Sequence, residues 1–285
     1  MTMNRAQLIR AGVTAAFLSL TWFAYTQTQA PKLTINKVKE DLYEIEGDGG
    51  NVGVLVTSEG VILIDDKFEQ DHDAIIAQVK SVTAQPIKYI LSTHYHGDHS
   101  GGNAKFLPTA EIISTSMARA RIVAQKADGT AKTEPGRIAF NPEMSVFLGG
   151  KEVRARFMGR GHTDGDAIIY FPQLKTLHTG DLMAGASPLI DYPGGGSIVE
   201  WTRTLDEAMK LDFDTVIPGH GPVTTKAGLK TYRDNVEKLR NSVSAMVKAG
   251  KSQGEIATFL QAEYKWAPNS LNIQWSLPGF MTELK

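Results

Sequence analysis

Five of the seven histidines in this 285-residue chain fall in three short segments that also contain glycine. The densest segment, residues 93–102, places His94, His96, Asp98 and His99 within six residues. Imidazole and carboxylate groups are ligands for zinc and other first-row metals. In an extended backbone His94 and His96 point to the same side, whereas Asp98 and His99 follow a turn and can face a second ion. The segment therefore predicts ligands for two metal ions.

Three later segments add candidate ligands, each at the end of a predicted strand in a glycine-rich turn. His162 lies in residues 159–165, Asp181 follows a strand ending at Thr179, and His220 lies in residues 218–222. A closed structural zinc site needs only four ligands, so the surplus favours a two-metal site with open positions. The full candidate set is His94, His96, Asp98, His99, His162, Asp181 and His220.

Four other polar residues near this set have different predicted roles. His72 is predicted to be a solvated surface residue, and His178 to pack behind the site or support a ligand. Asp65 and Asp66 end a predicted strand. They are interpreted either as a helix-capping pair or as carboxylates that orient a metal-binding imidazole. Both interpretations of the pair remain open at this stage.

Alternating strand and helix patterns must position these residues. The periodicity predicts strands over 51–57, 61–65, 87–92, 111–114, 167–171, 176–179 and 215–217, a hairpin over 144–157, and helices over 71–82, 115–127, 198–211, 226–250 and 252–262. Interleaved strands and helices predict an α/β fold in which two layered sheets are covered by helices. The tail is expected to be an aromatic coil in which Trp266 and Trp275 belong to the core. The long loops 128–142 and 183–197 are expected to be functional.

Composition narrows the possible chemistry. The chain has no cysteine, which excludes disulfide scaffolds, thiolate-held metal clusters and a thiol nucleophile. With 30 basic and 31 acidic side chains the net charge is −1, so the sequence predicts no nucleic-acid partner. A small-molecule substrate is expected instead.

The first thirty residues are typical of a secretory signal peptide. Arg5 and Arg10 precede an uncharged stretch over 11–25, and a small polar run ends at Ala30. The uncharged stretch is shorter than the roughly 20 apolar residues of a membrane-spanning helix, so stable membrane insertion is not expected. The sequence thus predicts a signal peptide over 1–30, one mature domain over 31–285, and a periplasmic or secreted protein.

The motif His94-x-His96-x-Asp98-His99, with the order and spacing of His162, Asp181 and His220, resembles the metallo-β-lactamase superfamily. The likeness covers roughly residues 45–225. It implies an αβ/βα four-layer sandwich with two zinc ions at one edge of the paired sheets. It further implies that His94, His96 and His162 hold the first zinc, that Asp98, His99 and His220 hold the second, and that Asp181 bridges them. Asp65 matches a strand-end aspartate of the family.

Two departures bear on the substrate. Many β-lactamases of the first subclass have a cysteine where Asp181 stands, and a lysine where Ala184 stands. In having an aspartate at this bridging position, the chain is similar to glyoxalase II and the acyl-homoserine lactonases. Export, in contrast, favours envelope substrates such as β-lactams. The resemblance implies an exported hydrolase that uses a metal-bound hydroxide to open a cyclic amide or ester, with β-lactam as the leading substrate and Asp98 orienting the nucleophile.

Three alternative functions stay open. The first is a lactonase or thioesterase of the same superfamily, the second an iron-dependent oxidoreductase on the same fold, and the third a non-catalytic metal- or ligand-binding envelope protein. Substrate choice is assigned to loops 47–51, 128–142 and 183–197. Five basic residues are possible carboxylate binders, although a surface role is favoured for each: Arg119, Arg121, Lys132, Arg137 and Arg160.

Overall fold

The computed structural model describes residues 32–130, 133–185 and 187–285. The expected signal peptide over 1–30 and the side chain of Lys132 therefore lie outside the described residues. In the described ranges no helix is both long enough and apolar enough to cross a membrane.

Two mixed β-sheets form the centre of the molecule. The first sheet contains seven strands that are neighbours in chain order: β1 (Thr34–Lys39), β2 (Leu42–Glu46), β3 (Val52–Val56), β4 (Val61–Ile64), β5 (Ile87–Leu91), β6 (Glu111–Thr115) and β7 (Ile138–Phe140). The second sheet contains six strands: β8 (Glu143–Leu148), β9 (Lys151–Arg156), β10 (Ile168–Phe171), β11 (Thr176–His178), β12 (Thr215–Ile217) and β13 (Thr224–Thr225). Pairing is antiparallel at hairpins and parallel from β4 to β7 and between β11 and β12.

Helices connect the strands and cover both sheets. The α-helices are α1 (His72–Val82), α2 (Gly97–Ser100), α3 (Asn103–Phe106), α4 (Ser116–Ala127), α5 (Ile198–Met209), α6 (Lys226–Lys248), α7 (Gln253–Tyr264) and α8 (Leu277–Glu283). Short 3₁₀ turns cover Glu69–Asp71, Pro172–Leu174 and Gly180–Leu182, and a π-helical segment, Asn272–Ser276, leads into α8. Side-chain N-caps define where several of these helices begin. Thr115 and Ser197 each accept a backbone N–H in the first turn of α4 and α5.

Alternation of side chains along the strands produces four layers. On β4, Ile62 and Ile64 join the core between the sheets, while Leu63 faces α1. On β10, Ile169 and Phe171 join that same inner core, and their neighbours face α5 and α6. A period of two on both strands means that each sheet is buried on both faces. The predicted helix–sheet–sheet–helix sandwich is confirmed.

Several elements differ from the sequence-based expectations. Strands β1 and β2 were not predicted, and β7 lies inside the expected loop 128–142. The tail after α7 is helical from Asn272 rather than a coil. His72 is not a fully solvated residue, because its ring packs 4.5 Å from the ring of Phe106. Trp266 is buried as predicted, but Trp275 is only partly buried and lines a cleft.

Candidate metal centre

Two segments at the ends of strands bring together the first group of histidines. His94 and His96 follow β5, and His162 lies in the turn between β9 and β10. The Nδ1 atom of His96 is 2.9 Å from Nε2 of His162. Nε2 of His94 is buried and has no hydrogen-bond partner among the described residues. The potential ligand atoms of this group, which also includes Asp181, lie within 4.8 Å of one another.

The opposite nitrogen of each imidazole in this group is held by a protein oxygen. Nδ1 of His94 is 3.0 Å from Oγ1 of Thr93, and Nε2 of His96 is 2.9 Å from Oδ2 of Asp191. Nδ1 of His162 donates to the carbonyl oxygen of Leu189 over 2.6 Å. Such contacts fix the tautomer and the ring orientation of a metal-binding histidine. Each ring therefore presents its other nitrogen to the shared centre.

The second group contains Asp98, His99 and His220. Nε2 of His99 lies 3.2 Å from Nε2 of His220, which in turn lies 3.2 Å from Oδ2 of Asp98. Nδ1 of His99 donates to Oδ2 of Asp65 over 2.8 Å. This contact favours the second interpretation of Asp65, as the carboxylate that orients an imidazole, and the N-cap of α1 is Asp71 instead.

Asp181 lies between the two groups. Its Oδ1 atom is 3.1 Å from Nε2 of His99 and 3.5 Å from Nε2 of His220, while Oδ2 is 3.7 Å from Nε2 of His162. Ligand atoms about 2.0–2.1 Å from a tetrahedral zinc ion lie about 3.3 Å apart, which is close to these separations. With the unpartnered nitrogen of His94, the distances and the all-nitrogen-and-oxygen donor set fit two adjacent divalent cations.

Burial favours the neutral imidazole in two histidines of the first group, His94 and His162. It lowers the pKa of His162 to about 4, assisted by neighbouring His96. Burial also lowers the pKa of His94 well below its ordinary value, and the nearby rings of His99 and His96 lower it further. Neutral imidazole is the form that binds a metal.

Carboxylates reverse this effect in the second group. Burial alone would lower the pKa of His220, but hydrogen bonds to Asp181 and Asp98 raise it to about 9. Burial would also raise the pKa of Asp98, yet the charge of His99 and a hydrogen bond from His220 hold it at about 2. In the same way the charges of Asp181 and Asp98 outweigh burial and raise the pKa of His99 well above its ordinary value. Without metal, this group is a network of ion pairs.

Two glycines allow the backbone to approach the ligands closely. A Cβ atom on Gly50 would lie 2.1 Å from Cε1 of His99, and one on Gly219 would lie 2.1 Å from Oδ1 of Asp181. Neither position could therefore hold a larger residue without moving a ligand.

Two buried residues beside the groups support the surrounding turns. His178 is buried on β11, where its Nε2 lies 3.1 Å from the carbonyl oxygen of Asn51 and its Nδ1 accepts the backbone N–H of Gly180. This agrees with the predicted packing role. Asp66 accepts the backbone N–H of Gly102 over 2.9 Å and anchors the end of the histidine-rich segment.

A cleft of about 810 Å³ opens onto both groups. Its lining residues include His96, Asp98, Asp181 and His220, together with parts of loops 128–142 and 183–197 as expected. Loop 47–51 contributes none of them, contrary to expectation, because Gly49 packs against Phe68 and Gly50 packs against His99. The C-terminal segment, through Leu271, Asn272 and Trp275, contributes instead.

The four described arginines among the candidate carboxylate binders lie outside the cleft lining. Arg121 and Arg160 form ion pairs with Asp164 and Glu200, both at 2.6 Å. The remaining two contact neighbouring parts of the fold, Arg119 at Gly136 and Arg137 at Glu111. The favoured surface role agrees with these contacts.

Sequence reasoning missed two residues that contact the first group. Asp191, in loop 183–197, accepts hydrogen bonds from His96, from the Tyr95 hydroxyl and from the backbone N–H of Gly194. Tyr95 stands between two predicted ligands, and Asp191 precedes the Pro-Gly-Gly-Gly turn of a loop already expected to be functional. Those positions were the available signals, but neither indicates that the two side chains meet.

Comparison with known proteins agrees with the fold. The sequence model of the metallo-β-lactamase superfamily matches residues 45–220. Among curated proteins, a type 2 metallo-β-lactamase of Elizabethkingia meningoseptica is 25% identical over 241 residues, covering 80% of this chain and 94% of that protein. Metallo-β-lactamase IND-1 of Chryseobacterium indologenes is 25% identical over 171 residues, covering 58% of this chain and 69% of that protein. The chain belongs to the metallo-β-lactamase superfamily, and it is a metal-dependent hydrolase.

Solved structures show the same architecture. A metallo-β-lactamase from Pontibacter korlensis superposes with a TM-score of 0.63 at 19% identity, covering 72% of this chain and 99% of that one. At this identity the match establishes the fold alone.

Proposed function

We propose that this hydrolase binds two zinc ions and opens a cyclic amide, with β-lactams as its substrate class. The observation that carries the proposal is the pair of adjacent ligand groups that share Asp181 and open into one cleft. The names of the curated relatives support the choice of β-lactam.

Seven side chains would hold the ions. His94, His96 and His162 face the first position, Asp98, His99 and His220 face the second, and Asp181 faces both. A pair of zinc ions supplies an activated water at neutral pH and polarises the substrate carbonyl. The supporting groups Thr93, Asp191, Leu189 and Asp65 fix the imidazole rings before any ion binds.

Asp98 is the side chain assigned to orient the nucleophile. It lines the cleft, and its pKa of about 2 keeps it ionised at neutral pH. A carboxylate in that state accepts a hydrogen bond from a water molecule and directs the oxygen lone pair toward the carbonyl carbon. The same low pKa makes Asp98 a weak proton acceptor at equilibrium, so its proposed contribution is orientation first.

A lactone is the second candidate substrate, because Asp181 is a carboxylate between the two groups where many β-lactamases have a thiolate. A panel at fixed zinc should compare a chromogenic cephalosporin, an acyl-homoserine lactone and a glutathione thioester. We expect the highest kcat/KM for the cephalosporin and its loss on addition of a chelator. A higher value for the lactone or the thioester would replace the β-lactam proposal.

Two further measurements test the metal and the mechanism. Elemental analysis should find two zinc ions per chain, whereas iron with a coloured protein would support the oxidoreductase alternative. Replacing Asp98 with alanine should reduce both turnover and metal content. If both stay intact, Asp98 has no role in the reaction.

Export to the periplasm or the medium also remains part of the proposal, with residues 31–285 as the mature hydrolase domain. Cell fractionation of the full chain and of a form lacking residues 1–30 tests it. The full chain should appear outside the cytoplasm and the shortened form within it.

A further inference from the structure

The C-terminal segment Leu271–Ser276 forms one wall of the cleft. It lies beyond residues 45–220, where the family match ends. Leu271, Asn272 and Trp275 line the cleft, and the Trp275 ring centroid is 5.4 Å from that of His96. A substituent a few bonds away from a carbonyl at the metal centre would therefore reach the indole.

Hydrogen bonds hold this wall in place. The Asn272 side chain donates to the carbonyl oxygen of Pro188 over 3.0 Å. Ser276 is fully buried, and its hydroxyl accepts the backbone N–H of Ile190 at 3.0 Å and donates to the carbonyl of the same residue at 3.1 Å. The π-helical turn between Asn272 and Ser276 thus presents Trp275 from an anchored backbone. Rigid aromatic side chains bind ligands at a low entropic cost.

The surroundings of Trp275 are suited to an apolar group. Leu271 leaves 48% of its surface exposed at the cleft, and the rings and methyl groups of Phe68 and Leu189 line the same space. Outside the two ligand groups, Glu69 is the one charged side chain among the described lining residues. Apolar surface of this kind gains free energy when a ligand removes it from water.

We propose that Trp275 and Leu271 form the binding site for the apolar acyl side chain of the substrate, beside the scissile carbonyl. The inference rests on the proposed function and deepens it. Trp275 acts in this scheme as a specificity-determining residue, because it contacts the side chain of the substrate and leaves the reacting atoms to the ligand groups.

The test compares two substrates that share one β-lactam nucleus. Benzylpenicillin carries a phenylacetyl side chain, whereas 6-aminopenicillanic acid carries none. We expect Trp275→Ala to lower the ratio of their kcat/KM values at least about tenfold, mainly through KM for benzylpenicillin. Leu271→Ala should lower the ratio by a smaller factor, and Trp275→Phe should retain most of it.

The matched control is Phe147→Ala, which removes an exposed aromatic ring on β8 that is not part of the cleft lining. It should leave the ratio at its wild-type value. Metal content is measured for every variant. An unchanged ratio in Trp275→Ala overturns the proposal, and so does an equal loss for both penicillins, which would assign Trp275 to the support of His96.

Calorimetric binding of the same two penicillins separates this inference from the proposed function. If neither penicillin is hydrolysed, the β-lactamase proposal fails. The acyl site is then judged by the ratio of the two dissociation constants in wild type and in Trp275→Ala. Binding that does not depend on the phenylacetyl group, or no binding at all, overturns it.

Discussion

The two groups of candidate metal ligands differ in how the surrounding protein orients them. In the first group every imidazole has its outer nitrogen in contact with a protein oxygen, and His94 and His162 are fully buried. In the second group His99 has such a contact, with Asp65, but the His220 side chain remains 36% exposed and Asp98 lines the cleft. The first group is therefore the more enclosed of the two, although His96 also lines the cleft, and the second is more open to the cleft.

The protonation of the histidines also differs between the two groups. Burial lowers the pKa of His94 and of His162, the latter to about 4, and so keeps these two imidazoles of the first group neutral. In the second group, ion pairs with carboxylates raise the pKa of His220 to about 9. A metal that binds the second group must displace protons from His99 and His220, whereas His94 and His162 in the first group offer free lone pairs. We therefore expect the first position to bind metal more tightly and the second to exchange it more readily.

The largest effect should come from Asp181, because its two oxygens each face a different group. Asp181→Ala removes a ligand from both positions at once. Loss of several kcal/mol of transition-state stabilisation should reduce kcat/KM at least about 10³-fold. Elemental analysis after dialysis should find much less than one metal ion per chain, because both positions lose a ligand. Retention of a full ion per chain would mean that Asp181 is not shared.

A paired comparison of His162→Ala and His220→Ala tests which group is tighter. The His220 variant should keep about one zinc ion per chain after dialysis and lose about 10²-fold in kcat/KM, because the enclosed group is intact. The His162 variant should retain less metal and less activity. Equal retention by the two variants would contradict the proposed order of affinities.

A smaller effect is expected for Asp191→Asn, which changes the acceptor behind His96 but leaves every ligand in place. Such supporting carboxylates are worth roughly 10- to 100-fold in metal affinity. Chelator competition should detect this loss at the first position. Asp73→Asn is the matched control, since Asp73 also contacts a histidine, His72 at 2.7 Å, but on the exposed start of α1. A similar metal affinity in the two variants would show that Asp191 does not support metal binding by His96.

Much of the architecture followed from local patterns in the chain. Alternating β-branched runs predicted the hairpin of β3 and β4, and the structure pairs Val56 with Val61 as such a turn requires. The candidate ligands could be found because histidine and aspartate stand beside glycines at strand ends. These signals lie within short stretches of the chain, so they can be recognised in a single sequence.

The missing parts depend on contacts between distant segments. Asp191 meets His96 from 95 residues away in the chain, and nothing near either residue indicates that pairing. The side chains of strand β1 are all exposed or only partly buried. Its sequence therefore lacks a clear alternation of apolar and polar residues that would predict a strand. Trp275 is predicted to belong to the core because a tryptophan is more often a core residue than part of a ligand site, whereas a π-helical turn directs it to the cleft.

The division of ligands between the two halves of the sandwich has a consequence for stability. His96 and His162 are 66 residues apart in sequence, and His99 and His220 are 121 residues apart. Ions held by these pairs would act as cross-links that close long loops in a chain that has no cysteine. In the chain-entropy treatment of disulfides, loops of about 100 residues correspond to about 4.7 kcal/mol. The residues proposed to hold the ions for the reaction would then also link one sheet to the other.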